Sequence, residues 1–178
     1  MMIKTERLLI RPIVETDWKS IQHIWDDIKH SPYAQYDNPK DTQEDVVRPR
    51  ISRWANANKS GTDHLFYAVC LNDTVIGYIA FNLAERGHEI GYCFHSAHHG
   101  NGYGKESLSA LIRHMESLNI RWLSARTALQ NKPSVRLLTS LGFHQTATEQ
   151  VSFYKNNNGS DIFFTGGIFE LNILQKTK

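Results

Sequence analysis

Residues 98–105 read His98-His99-Gly100-Asn101-Gly102-Tyr103-Gly104-Lys105, and the three alternating glycines carry the most chemical content in the chain. Glycine admits backbone angles that other residues resist and lets a ligand approach the main chain closely. A strand-like run over 88–94 precedes this loop, and a helical pattern follows it at once. The first turn of a helix presents unpaired N–H groups and the positive end of its dipole. Loop and helix start together predict a cradle for phosphate oxygens.

Spacing narrows the choice of cradle. A Walker A loop needs four residues between its first glycine and Gly-Lys-Ser/Thr. Here three residues separate Gly100 from Gly104, and Glu106 stands where the magnesium-binding hydroxyl belongs. A Rossmann fingerprint needs G-x-G-x-x-G, and Gly104 falls one position early for it. The nearby histidines His88, His95, His98 and His99 raise a metal site. Strand alternation spreads them over two directions and no cysteine or carboxylate sits at a matching short spacing, so no metal is expected.

The elements that must position this loop are legible from periodicity. Residues 8–10 form an opening strand, and Trp18, Ile21, Trp25 and Ile28 mark an amphipathic helix starting near Thr16 or Asp17. Thr42 and Asp45 resemble a capping box for a second helix carrying Val47, Ile51 and Trp54, which Pro49 should kink or split. Residues 64–71 and 74–83 read as a hairpin turning at Asn72-Asp73. Leu108, Leu111, Ile112, Met115 and Leu118 form the stripe of the helix after the glycine loop. A strand over 120–127 leads to a helix opened by Asn131 as N-cap and Pro133, ended by Gly142. Two strands near 144–154 and 161–171 close the chain around an Asn156–Ser160 turn. Strand and helix do not alternate strictly, which points to an α+β fold with a mixed sheet rather than a doubly wound one.

The chain of 178 residues is read as one domain, 1–178, with an ordinary 40% hydrophobic and 21% charged composition. A formal charge of +2 with no basic run gives no case for nucleic-acid binding. No apolar stretch reaches membrane-spanning length, and the first residues lack the apolar region of a signal peptide. Cys70 and Cys93 match no metal or redox spacing and are expected to be buried free thiols, in keeping with a cytoplasmic protein.

His99-Gly100-Asn101-Gly102-Tyr103-Gly104 resembles the Q/R-x-x-G-x-G/A pyrophosphate loop of the GNAT superfamily of acetyl-CoA-dependent N-acetyltransferases, with His99 in the Gln/Arg place. Residues 131–143, from Asn131-Lys132-Pro133-Ser134 to Leu141-Gly142-Phe143, resemble that family's Asn-x-x-Ser helix and Leu-Gly-Phe ending. Thr5-Glu6-Arg7-Leu8-Leu9-Ile10-Arg11-Pro12 and Glu89-Ile90-Gly91-Tyr92 look like strands of the RimJ/RimL branch, which acetylates ribosomal-protein alanines.

The resemblance implies a mostly antiparallel seven-stranded sheet with helices on both faces, and direct acetyl transfer from acetyl-CoA to a primary amine. It implies cofactor contacts from Phe94, His99, Gly100, Asn101, Gly102, Tyr103, Gly104, Lys105, Asn131 and Ser134. It further implies Ser134 as the hydroxyl at the leaving sulfur and Glu89 as the base, with Glu149 second. Aspartate at 102 or 104 is expected to face the phosphates and abolish binding. The acceptor, set by residues 29–62 and 155–160, is left open among peptide N-termini, polyamines, amino acids and antibiotics. The protein is expected to act as a monomer or a homodimer. A non-catalytic CoA-binding module on the same fold is the competing reading.

Overall fold

The computed structural model describes residues 2–173. Apolar runs build the middle of a single sheet from β1 (Ile3–Lys4), β2 (Leu9–Pro12), β3 (His64–Leu71), β4 (Thr74–Leu83), β5 (His88–Phe94), β6 (Trp122–Ala128), β7 (His144–Lys155) and β8 (Asp161–Asn172). Their spatial order is β1-β2-β3-β4-β5-β6-β8-β7. Every neighbouring pair is antiparallel except β5–β6, which is parallel. The mixed, mostly antiparallel sheet is therefore present, with eight strands among the described residues where seven were implied. The additional one is β1, whose two residues pair with Ile10 and Leu9. Two residues are too few to register as an alternating pattern.

Among the described residues four α-helices cover the two faces: α1 (Trp18–Lys29), α2 (Glu44–Ala57), α3 (Tyr103–Ser117) and α4 (Lys132–Ser140). On one face Ile21, Trp25, Val47 and Ile51 of α1 and α2 pack on Phe66, Ala68 and Tyr78. On the other, Leu108, Leu111 and Met115 of α3 and Leu138 of α4 pack on Val69, Ile79, Phe81, Ile90 and Phe169. Each such side chain, taken fully from water, contributes about 1.5–3 kcal/mol. Trp25 and Trp54 belong to this packing: the Trp25 indole donates to the Tyr78 hydroxyl at 2.9 Å, and Trp54 stacks on Phe66.

Two local expectations give way to tertiary contacts. Helix α2 is capped at Gln43 rather than Thr42, whose hydroxyl accepts from the Lys29 ammonium instead. The helix also runs unbroken through Pro49. A proline removes one helical hydrogen bond, and Val47 and Ile51, both fully buried, hold the segments on either side of it against the sheet. The Asn72-Asp73 turn is as read, with φ of 47° and 65°. Helix α4 closes on Gly142, whose φ of 91° suits a left-handed cap. Gly142 N–H donates to the Thr139 carbonyl at 3.0 Å and Phe143 N–H to the Leu138 carbonyl at 3.1 Å. Among the described residues no helix is long and apolar enough to cross a membrane.

Candidate active site

The parallel pair β5–β6 is joined only at its beginning, where His88 meets Leu123 and Glu89 meets Ser124. Beyond Glu89 the two strands part, leaving a gap in the sheet. The His95 N–H donates to the Ile76 carbonyl of the β4 side at 3.0 Å. Successive amides along a strand point to opposite edges, so the Phe94 N–H points into the gap.

The glycine loop lies just past the end of β5. Among the described residues, none of the backbone N–H groups from Gly100 to Lys105 donates a hydrogen bond within the chain, whereas the Asn101 side-chain amide donates to the His99 carbonyl at 3.1 Å. Gly102 is the N-cap of α3 with φ 82°, and Gly100 has φ 78°. The first turn of a 15-residue helix thus adds its dipole to a run of free N–H groups. Gly104 serves packing: a Cβ there would sit 3.2 Å from Leu137 and 3.7 Å from the Phe94 ring. A Cβ on Gly102 would lie 3.5 Å from the Arg7 guanidinium. A side chain placed at 102 would therefore start out beside the Arg7 guanidinium, and one at 104 against Leu137 and Phe94.

His99 turns back on its own strand. Its Nε2 lies 2.8 Å from the Phe94 carbonyl, to which it donates. The ring thereby fixes the peptide after Phe94, and Nδ1 is the nitrogen left for other partners. Asn101 and Lys105 are exposed, while Tyr103 lies against the Arg7 guanidinium, 4.6 Å from ring centre to its carbon.

Across the gap, Asn131 caps α4 by accepting the Ser134 N–H at 3.3 Å. That places Ser134 in the first helical turn with its Oγ 2.7 Å from the Tyr92 hydroxyl. Tyr92 was not singled out from sequence; its alternation with Ile90 and Phe94 is the signal that puts it on the α3–α4 face. Burial pushes the Tyr92 hydroxyl up to about 12, and its hydrogen bond to Ser134 opposes this only partly. The phenol is consequently neutral at physiological pH.

A folded-state value raised from 10.0 favours the neutral form, so its contribution to stability is complete below about pH 10 and is lost as pH rises through about 12. Burial raises Tyr67 to about 12 and Tyr78 well above 10.0 as well. Tyrosinate absorbance, followed during alkaline titration, is expected to show these three ionising late, and Tyr92→Phe to remove one of them. Ionisation of all seven tyrosines near pH 10 in the folded protein would contradict this.

The two candidate bases share one partner. The Arg126 guanidinium on β6 pairs with Glu89 of β5 through Nη1 and with Glu149 of β7 through Nε at 3.3 Å. Glu89 and Arg126 lie on the α1–α2 face of the sheet, opposite Tyr92 and Ser134, as alternation along β5 and β6 requires. The trio carries one net negative charge. Ser134 and the loop stand on one face and the carboxylates on the other, and the gap between β5 and β6 connects them.

Cys70 and Cys93 are free thiols, and burial pushes Cys93 up to about 12. Among the described residues no three His, Cys, Asp or Glu side chains are grouped so as to hold a metal ion.

Residues 7–144 match the model of the acetyltransferase (GNAT) domain, and the chain belongs to that family of N-acetyltransferases. It is 29% identical over 146 residues to the uncharacterized N-acetyltransferase p20 of Bacillus licheniformis, covering 79% of this chain and 81% of the relative. In fold it is similar to an acetyltransferase from Salmonella typhimurium that modifies the N-terminal serine of ribosomal protein L7/L12, with TM-score 0.82, 18% identity, and 97% and 99% of the two chains covered. It is also similar to the ribosomal L7/L12 alpha-N-protein acetyltransferase RimL in complex with coenzyme A, with TM-score 0.79, 16% identity, and 97% and 98% covered.

Proposed function

We propose that the chain, working as one domain, transfers an acetyl group from acetyl-CoA directly to a primary amine, with Ser134 at the sulfur and Glu89 receiving the amine proton. The observation that carries this reading is the gap between β5 and β6, flanked by unpaired loop amides on one side and an inward Phe94 N–H on the other. The residues fit the cofactor. Free N–H groups from Gly100 to Lys105 suit a pyrophosphate, and Asn131 and Phe94 line the way from that loop to Ser134. Acetyl-CoA supplies the acetyl group as an activated thioester.

The chain's own groups account for the remaining demands. The Phe94 N–H, held rigid by the sheet and by the His99 ring on the adjoining carbonyl, suits an oxygen that gains negative charge. Ser134 Oγ donates a hydrogen bond to the departing sulfur while it accepts one from the neutral Tyr92 hydroxyl. An alkyl amine, with an ordinary pKa near 10, arrives mostly protonated. The negative Glu89–Arg126–Glu149 trio draws the ammonium to the α1–α2 face, and Glu89 takes its proton through water. The acceptor is read as a peptide N-terminus or a small-molecule amine, in line with the L7/L12 enzymes that share the fold.

Glu89→Gln is expected to lower kcat/KM at neutral pH by about tenfold or more, and Glu149→Gln to do less. A Glu89→Gln enzyme with the wild-type pH–rate profile would acquit Glu89. Calorimetric titration of acetyl-CoA tests the reading as a whole: one molecule bound per chain is expected, and no binding would overturn it.

A further inference from the structure

Two groups beside the loop have no part in the reading above: the opening Thr5-Glu6-Arg7 segment and Glu106. A carboxylate in the first turn of α3 suits the bare helix dipole but opposes any phosphate held there. The structure surrounds it with donors. Thr5 Oγ1 donates to Glu106 Oε1 at 2.5 Å and the Arg7 N–H to the same oxygen at 3.0 Å. Arg7 Nε and Nη2 both reach Oε2, at 2.8 and 2.7 Å. Burial alone would raise the Glu106 carboxyl, yet the Thr5 hydroxyl and Arg7 hold it below the usual carboxylate range.

Arg7 also reaches the loop and the first residue of α3. Its Nη1 donates to the Asn101 carbonyl at 3.0 Å, and its face covers the Tyr103 ring. A trans peptide points its carbonyl and its N–H in opposite directions. Holding the Asn101 carbonyl toward Arg7 thus turns the Gly102 N–H away from Arg7, into the cradle.

We propose that Arg7 is a positioning residue for the phosphate loop, aiming the Gly102 N–H and cancelling the Glu106 charge that would otherwise repel the ligand. This rests on the loop being the acetyl-CoA pyrophosphate site. Arg7 acts through Asn101 and Glu106 rather than by touching the substrate. The two roles are separable: Glu106→Gln removes the repulsion but leaves Arg7 free to hold Asn101.

A double-mutant cycle tests it, with acetyl-CoA titrated calorimetrically into wild type, Arg7→Ala, Glu106→Gln and the double variant, alongside steady-state kinetics and ligand-free melting. Arg7→Ala is expected to raise Kd and KM for acetyl-CoA about tenfold, with kcat at saturation unchanged. Glu106→Gln should stay within about threefold of wild type. The double variant should bind more tightly than Arg7→Ala, because the unpaired charge is gone. If Arg7→Ala does not fold, Arg7→Met keeps the stem over Tyr103 and is expected to show the same loss. Wild-type affinity in Arg7→Ala or Arg7→Met overturns the proposal. So does an equal loss in both single variants with no recovery in the double, which would mark the pair as a structural staple. Failure of the wild type to bind acetyl-CoA is a separate result: it removes the loop reading, and the Arg7 role with it.

Discussion

Ser134→Ala is expected to lower kcat about a hundredfold while Kd for acetyl-CoA stays within about threefold of wild type. The hydroxyl is placed by two contacts that do not depend on a ligand. Asn131 caps the turn that carries Ser134, and Tyr92 takes its Oγ at 2.7 Å. Removing the hydroxyl leaves that backbone contact in place, so the loss falls on the step in which sulfur departs. Tyr92→Phe acts through Ser134 and should cost about tenfold in the same parameter. Its Kd should also be unchanged. Equal falls in affinity and turnover for Ser134→Ala would instead mean that Ser134 only positions the substrate.

Gly102→Val is expected to weaken acetyl-CoA binding about tenfold to a hundredfold. At φ 82° a β-branched residue is strained by about 1–3 kcal/mol. The loop relieves that strain by abandoning the arrangement that exposes its amides, and binding must restore it. Gly102→Asn separates conformation from bulk, because asparagine tolerates left-handed angles. It should bind within about threefold of wild type. Gly104→Val differs in kind: its Cβ meets Leu137 and Phe94, so the expected loss is in melting temperature first. Isothermal calorimetry and thermal melting of the three variants distinguish these outcomes. Tight binding by Gly102→Val would contradict the cradle.

Much of this architecture was legible because its signals are local. The α3 stripe of Leu108, Leu111 and Met115, the Asn131 cap and the Gly142 ending each fall within one element, and the structure places them as read. The parts that escaped join distant segments. Tyr92 meets Ser134 across 42 positions and Arg7 meets Glu106 across 99. Neither periodicity nor a short motif reports such pairs. Arg126 shows the same limit. As an exposed residue on a half-buried strand it reads as ordinary solvated charge, and only the register of β5, β6, β7 and β8 brings Glu89 and Glu149 to it. Thr42 failed as a cap because a lysine from another helix claims its hydroxyl. What a side chain at a loop glycine would meet is likewise set by tertiary neighbours: Arg7 at 102, Leu137 and Phe94 at 104.

In the proposed reaction the acetyl group passes directly across the gap between β5 and β6, from a thioester held on the α3–α4 face to an amine entering from the α1–α2 face. Release of free thiol from acetyl-CoA, followed with a panel of peptide N-termini and small amines, tests it most directly. The expected result is thiol release that depends on a suitable amine, an amine product carrying one acetyl group by mass, and a protein whose own mass never changes. Binding of acetyl-CoA with no thiol release from any amine, or an acetyl group that accumulates on the protein, would contradict it.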